Sequence, residues 1–540
     1  MSCDELRWTL AVSGVVVLLF GWIWWRGVPG GVARHADACA EPAARRRRQC
    51  WPPAGVPYGR LGRVPPVTIT ADVPDNAYVP LRTPHPADVE GCTLRDVGSW
   101  GLVGAAFVST WNGLHLGGLK PVDIFLAVVA VCLAYKVLAT VRLPPVPGWV
   151  VIGTVAVVVV ACAHVLLPTG AHFLSTRVRI GSLNSLTGAV ESSSAAVQAA
   201  KWITALLVVP WFLIIVAERR EQILVKVMVA WSAGAAVSAA VSVSDFTGTT
   251  SVGATLLGFV SQSGRQSGLA SHPNHLGIAC ALAVPIALYV LSKRRLLGGG
   301  LVILLSLGVL LSGSRGAQAV YVIAVLFTLA LVRQGSKAKT RLLVVLGLGA
   351  ATIPFLFETE IAQGRDTLLR FGHSSGAHKS DYERRLVAAQ TWLDWQERPL
   401  VGIGLDYITF AHSIPLQIIS AGGVVLAAGM LFYFGGAIGA AWRLRGDSNP
   451  LPGYLLVSLI AWFAVGMVEN QLTDRYLYFP VGCIAAVQML RQWQRGNDQE
   501  VRLRAPTDDE AAEIETEHAH EPRARARTGE GSADLDFSPG

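Results

Sequence analysis

Residues 294–333 read RRLLGGGLVILLSLGVLLSGSRGAQAVYVIAVLFTLALVR. Two apolar runs, 297–312 and 316–332, stand between basic residues, and only the turn 313–315 separates them. Each run approaches the ~20 residues that a helix needs to cross the hydrocarbon core. A backbone in lipid must satisfy its own hydrogen bonds, and nothing here alternates as barrel strands would. The stretch therefore reads as a helical hairpin in a membrane, with Arg315 at its tip and Arg294, Arg295 and Arg333 at its open end.

The same pattern extends in both directions. Apolar runs also cover 8–25, 121–139, 147–167, 200–217, 222–243, 273–291, 342–357, 415–441, 452–468 and 476–492. The expected fold is an all-α polytopic membrane protein with twelve transmembrane helices, or thirteen if the short stretch 97–111 also crosses. Composition agrees: 52% of the 540 residues are hydrophobic and 15% charged, against roughly a quarter charged in soluble domains. A formal charge of +8 would point to nucleic acid in a soluble chain. Here the basic residues form short clusters between apolar runs, so they report topology and no nucleic-acid partner is expected. The eight cysteines show no metal-ligand spacing, and Cys132, Cys162, Cys280 and Cys483 lie inside apolar runs, where a buried free thiol is the expected reading. Neither a metal nor a cofactor is expected.

Every second loop is basic: Lys136/Arg142, Arg219/Arg220, Lys293 to Arg295, Arg333 to Arg341, Arg443/Arg445 and Arg491/Arg495. By the positive-inside rule these face the cytoplasm. The loops at 168–199, 244–272, 313–315, 358–414 and 469–475 then face outward. The run at 8–25 lacks a cleavage site and reads as an anchor within 1–25. A Pro/Arg-rich segment, 26–96, follows and carries Arg45 to Arg48. It is cytoplasmic if 97–111 spans, and otherwise an outward loop in which Cys39 and Cys50 could pair. Helices of the N-terminal part occupy 97–357, the large outward loop 358–414 and the C-terminal helices 415–493. The acidic tail, 494–540, is nearly free of large apolar side chains and is expected to be disordered in the cytoplasm.

The large outward loop contains an interfacial helix. Ser380 and Glu383 form a capping-box pattern at its start, and Pro399 ends it. Beyond it come Gly402, Gly404, and then His412-Ser413 just before the next span. A single histidine at a membrane interface is commonly a snorkelling polar residue, so His412 needs company to be more. Two outward arginines supply it. Arg265 stands in a glycine-rich stretch that runs on to His272-Pro273-Asn274-His275, and Arg315 follows Ser314 in the tight turn. Arginine near hydrocarbon is costly, by roughly 2.5–3.5 kcal/mol at a helix centre, and persists where it faces a polar cavity or an anion.

Four stretches, in order, resemble the O-antigen ligase and polymerase superfamily of bacterial membrane glycosyltransferases. They are Arg265 to Gly277 (RQSGLASHPNHLG), Leu311 to Ala317 (LSGSRGA), Pro399 to Leu405 (PLVGIGL) and Ala411 to Val424 (AHSIPLQIISAGGV). Gly113 to Phe125 (GLHLGGLKPVDIF) looks like the lead-in to a further family helix, so the likeness spans about 113–490. Ser413 stands where the family often has Asn, and Ala421 where it often has an acid. The resemblance implies a GT-C-like fold and a polyprenyl-diphosphate-linked glycan donor. It implies transfer to an acceptor hydroxyl at the outer face of the cytoplasmic membrane, without a required metal. The sugar and the acceptor, whether glycan, lipid or protein, are not specified.

On that reading Arg265 and Arg315 offset charge on the departing diphosphate, as planar, permanently charged forks can. His412 takes the proton of the acceptor hydroxyl. Ser314, Ser413, His272, Asn274 and His275 are candidate substrate-binding residues, the two histidines being mostly structural at the start of their span. A transporter is the rival reading, but ion-coupled transporters usually carry ionisable groups near the midplane, and the central parts of the runs 273–291, 297–312, 316–332, 342–357, 415–441 and 452–468 carry none. A non-catalytic scaffold leaves Arg265, Arg315 and His412 on one face unexplained.

Overall fold

A computed structural model of the chain describes residues 86–116, 119–140, 144–166, 195–218, 221–257, 265–332, 340, 344, 375–405, 412–446, 449–469, 471–472 and 474–504. Two of the twelve apolar runs, 8–25 and 342–357, lie essentially outside them, as do the Arg45 to Arg48 segment and the Cys39/Cys50 pair. The other ten runs are helical. Among the described residues there is no strand, only an isolated bridge between Leu116 and Leu119.

The elements are α1 Pro86–Val108, α2 Pro121–Thr140, α3 Gly148–Leu166, α4 Ala195–Ile203, α5 Val209–Ala217, α6 Gln222–Phe246 and α7 Val252–Leu257. There follow α8 Pro273–Lys293, α9 Arg295–Leu311, α10 Arg315–Leu331, α11 Ser375–Glu397, α12 Ile414–Leu444, α13 Leu451–Gly466 and α14 Tyr478–Arg504. Among the described residues five stretches are long and apolar enough to cross a membrane: Gly148–Leu166, Val197–Ala217, Gln222–Phe246, Pro273–Lys293 and Ile414–Leu444. Shorter apolar helices cover Val97–Val108, Pro121–Ala134, Arg295–Leu311, Arg315–Leu331 and Leu451–Gly466. The protein is an all-helical, multi-pass membrane protein.

Helix α8 is the axis of the bundle. It packs against α6, α9, α10 and α13, and every residue from Leu276 to Leu291 is buried. The outside is as apolar as the inside: Val151, Ile152, Val155, Val158 and Val159 on α3 and Val322, Leu326 and Phe327 on α10 are exposed. Water would not tolerate such faces, whereas lipid does.

Where proline or glycine breaks a helix, another part of the chain takes up the freed backbone groups, as a site without water requires. Pro210 has no N–H to offer the Leu206 carbonyl. A π turn, Thr204–Val208, bridges α4 to α5 there, and the Tyr433 hydroxyl donates to Leu206 O at 3.1 Å. In α12 the helix breaks at Gly423, whose φ of 60° and ψ of −157° belong to glycine. Pro399 O and Leu400 O accept from the N–H groups of Val424 and Val425, while Ile403 and Gly404 donate to Ser420 O and Ala421 O. His164 adds a bond to Gly402 O at 3.1 Å. The stretches PLVGIGL and IISAGGV are thus two halves of one backbone joint.

Two boundaries differ from those read from sequence. Helix α11 begins at Ser375, so Ser380 lies more than a turn inside it and cannot be its N-cap. The S-x-x-E pattern is an interior spacing here, since no proline lies between 375 and 380 to stop the helix extending backward. Helix α14 continues to Arg504, into the stretch read as a disordered tail. The pairs Asp498/Arg502 and Glu500/Arg504 stand four apart, acid first, the order that supports an exposed helix.

Candidate active site

The turn 312–315 is built before it is used. α9 ends at Leu311, Gly313 turns with φ 56°, and Ser314 caps α10 by accepting from Ala317 N at 3.3 Å. Ser312 Oγ accepts from Ser314 N at 3.2 Å and donates to Val309 O at 2.7 Å. These contacts place Arg315 at the first position of α10. The segment ahead of α8 locks onto the same turn: Gln266 N donates to Leu311 O at 3.0 Å and Arg265 Nε to Ser312 O at 2.8 Å. Leu269 N donates to Ser238 Oγ of α6 at 2.9 Å, which fixes the other end of that segment.

Arg265 also donates through a terminal nitrogen to Asn274 Oδ1, and Asn274 Nδ2 donates to Glu469 Oε1 at 3.0 Å. Arg265, Asn274, Ser314, Arg315, Arg384 and Glu469 line one cavity of about 440 Å³. Its remaining wall is largely apolar, with Ala319, Val320 and Ile323 of α10 and Ala464 and Val468 from α13 and just beyond. The cavity lies where α8 and α10 begin and where α9 and α13 end. Three guanidinium groups, from the pre-α8 segment, the α10 N-terminus and the loop helix α11, reach it.

Of the residues singled out from sequence, Arg265, Arg315, Ser314 and Asn274 meet at this cavity. His272, His275, His412 and Ser413 are not in its wall. His272 caps α8, its Nδ1 accepting from Asn274 N at 3.1 Å. Burial first, then the charges of His275, Arg265, His412 and Arg384, hold its pKa down at about 3. The His275 ring stands 5.9 Å from that of His272 and belongs to a neighbouring polar cluster. Its Nδ1 lies 2.9 Å from Ser271 Oγ, 3.0 Å from Asn112 Nδ2 and 3.7 Å from Asp474 Oδ2. Asp474 further accepts from Asn112 Nδ2 at 2.7 Å and from Lys120 Nζ at 3.3 Å. Ser413 precedes α12 without a side-chain capping bond.

His412 has φ 49°, the one positive φ at a non-glycine residue among those described. Such a backbone costs energy and tends to collect at functional sites. Its Nδ1 is buried with no hydrogen-bond partner among the described residues. Burial, then Arg384 and His275, bring its pKa down to about 4, so the ring is neutral at physiological pH.

Three further residues matter that sequence reasoning passed over. Arg384 lines the cavity, and its buried Nε has no hydrogen-bond partner among the described residues. Glu469 is 3% exposed, and burial pushes its carboxyl up to about 7 against the pull of Arg384, the Asn274 hydrogen bond and Arg265. Asp474 moves the other way. Burial alone would raise it, but Lys120 and His275, with the Lys120 and Asn112 hydrogen bonds, hold it below its ordinary value. A signal was present: the polar run from Glu469 to Arg475 fills a short connection between two apolar runs, which leaves its side chains little room to reach water.

Two comparisons with known proteins bear on the site. The family model described as O-Antigen ligase matches residues 300–433. No curated protein sequence matches the chain. The matched stretch runs from α9 to the Gly423 joint and just beyond and includes Arg315, Arg384 and His412, while Arg265, Asn274 and Glu469 reach the cavity from outside it.

Proposed function

Because the chain carries an O-antigen ligase family domain at residues 300–433, we propose that it moves a glycan from a polyprenyl diphosphate carrier to an acceptor hydroxyl in cell-surface polysaccharide assembly. The observation that carries this reading is the convergence of Arg265, Arg315 and Arg384 on one cavity. In the reaction the bond from the sugar's anomeric carbon to the diphosphate breaks and the acceptor oxygen bonds to that carbon. The diphosphate leaves with the bonding electron pair. The acceptor proton goes to a ring nitrogen of His412, which is neutral and able to receive it. Guanidinium groups fixed in a dry site stabilise charge on the departing phosphates more than they would in water, and without reorganisation during the reaction. Ala319, Val320, Ile323 and Val468 offer the first isoprene units an apolar wall. The arginines supply the charge that a divalent cation would otherwise bring, so the transfer runs without one.

The topology that fits this activity is the twelve-helix one of GT-C type, with the cavity and the 358–414 loop outward and the C-terminus cytoplasmic. A purified preparation in lipid, given a synthetic polyprenyl-diphosphate-linked sugar and an acceptor, tests the proposal. Transfer should survive a chelator. Arg315→Lys should stay folded yet lose about 10²–10³-fold in turnover, the scale of removing one preorganised donor from an anion-stabilising site. Near-wild-type transfer by this variant would reduce Arg315 to a topological charge.

A further inference from the structure

We propose that Glu469 is a donor-binding residue that meets the bound diphosphate as a carboxylic acid, giving its O–H to a phosphate oxygen while its other oxygen holds Asn274. The inference rests on the reading of the cavity as a diphosphate site. Glu469 lies in the wall of that cavity with Arg265, Arg315 and Arg384. Its Oε1 accepts from Asn274 Nδ2 at 3.0 Å, which leaves Oε2 to carry the proton. It also lies beside the first turn of α10: a Cβ at Gly316 would stand 3.8 Å from Oε1, an ordinary contact.

A carboxylate so placed would oppose the anion that the three arginines attract. Two anionic groups sharing one site raise the pKa of the weaker acid. Glu469 begins at about 7 in the empty cavity, so a neighbouring diphosphate carries it into its protonated form at physiological pH. Empty, the carboxylate partly offsets the arginine charge; occupied, it becomes a hydrogen-bond donor. Binding of the donor therefore takes up a proton.

The groups that face Glu469 leave its titration legible. Arg265, from the segment before α8, and Arg384, from α11, remain charged, as does Arg315 at the start of α10. Tyr476, in the turn Arg475–Leu477, is pushed far above its ordinary range and stays neutral. His272 and His412, held at about 3 and about 4, do not change state near pH 7. Val468 and Ala464 are apolar.

The test is calorimetry of the full chain in detergent with a synthetic polyprenyl-diphosphate-linked sugar and no acceptor, from pH 6 to 9. Two buffers of different ionisation enthalpy are used at each pH. The diphosphodiester does not titrate in this range, so any proton taken up belongs to the protein. Wild-type protein should bind with constant affinity below pH 7 and lose up to about tenfold per pH unit above it. About one proton should be taken up per donor near pH 8. Glu469→Gln keeps the Asn274 bond and should bind with pH-independent affinity and no uptake. Wild-type binding with no uptake and no pH slope overturns the role of Glu469 and leaves the diphosphate site standing, as does an unchanged slope in Glu469→Gln. Absence of wild-type binding at every pH overturns the diphosphate site, and Glu469 with it. Should Glu469→Gln fail to fold, the wild-type proton count decides alone.

Discussion

Glu469 and Asp474 stand five residues apart in one connection, and their environments drive them in opposite directions. Glu469 faces the arginine cavity, is hydrogen-bonded to the neutral amide of Asn274 and holds its proton up to about 7. Asp474 sits in a closed cluster with Lys120, Asn112 and His275 and is held ionised below its usual range. Both clusters draw on the first turn of α8, Asn274 serving one and His275 the other. The difference is one of satisfaction. The cluster closes on itself, whereas the cavity gathers Arg265, Arg315 and Arg384 around a space large enough for a ligand. Substitutions in the two regions should therefore separate, those around the cavity affecting turnover and binding, those in the cluster affecting stability.

The largest effect is expected at His412, which feels both regions, since Arg384 lowers its pKa from the cavity side and His275 from the cluster side. His412→Ala should lower turnover by about 10²–10⁴-fold, the contribution of a positioned general base, while donor binding and thermal stability change little. With the ring held at about 4, the acid limb that belongs to it should appear near pH 4 and vanish in the variant. Turnover should not rise through an ionisation near 6.5. Normal transfer at saturating donor, with donor binding lost, would make the imidazole a binding group and overturn its assignment as the base.

A smaller effect is expected for Arg384→Gln, which removes the third guanidinium without touching Arg265 or Arg315. Donor affinity should fall about ten- to hundredfold, the worth of a hydrogen bond to a charged group. The same change should raise the His412 pKa, because Arg384 is the second-largest influence holding it down after burial. Histidine-selective NMR on labelled protein would read that shift. A His412 pKa that does not move would separate the loop helix from the site.

Much of this arrangement could be read from the sequence because it lies in local patterns. Paired apolar runs with a three-residue turn place Arg315 at a helix start, and Pro273 next to a capping residue places Asn274. Arg384 was not readable in this way, since the apolar positions Tyr382, Leu386, Ala389 and Leu393 do not mark the buried face of α11, which carries Val387, Gln390, Thr391 and Asp394. For Glu469 and Asp474 the shortness of their connection was the one local signal, and the closeness of α8, α10 and α13 that buries them is not local. The break at Gly423 was hidden in a continuous apolar run, because its cause is a backbone partner 19 to 24 residues earlier, at residues 399–404.

The smallest effect on turnover, and the clearest on stability, is expected for Asp474→Asn. The substitution keeps the shape and a hydrogen-bond acceptor for Asn112 but leaves Lys120 without its counter-ion. Breaking a fully buried pair costs ~3–5 kcal/mol, and because the Lys120 side chain is 30% exposed the loss here should be about 2–3 kcal/mol. The sign with pH follows from the lowered pKa. The Asp474 contribution is fully present above the unfolded value of about 3.9 and disappears as pH falls through the lower folded value. Thermal unfolding in detergent, followed from pH 7 downward, should show a constant gap between wild type and variant to about pH 5. The gap should close below about pH 4. Turnover at neutral pH should stay near wild type, because no atom of the cluster lines the cavity. A variant as stable as wild type but without activity would place Asp474 in the reacting site, and the contrast between the two carboxyls would then be one of roles within it.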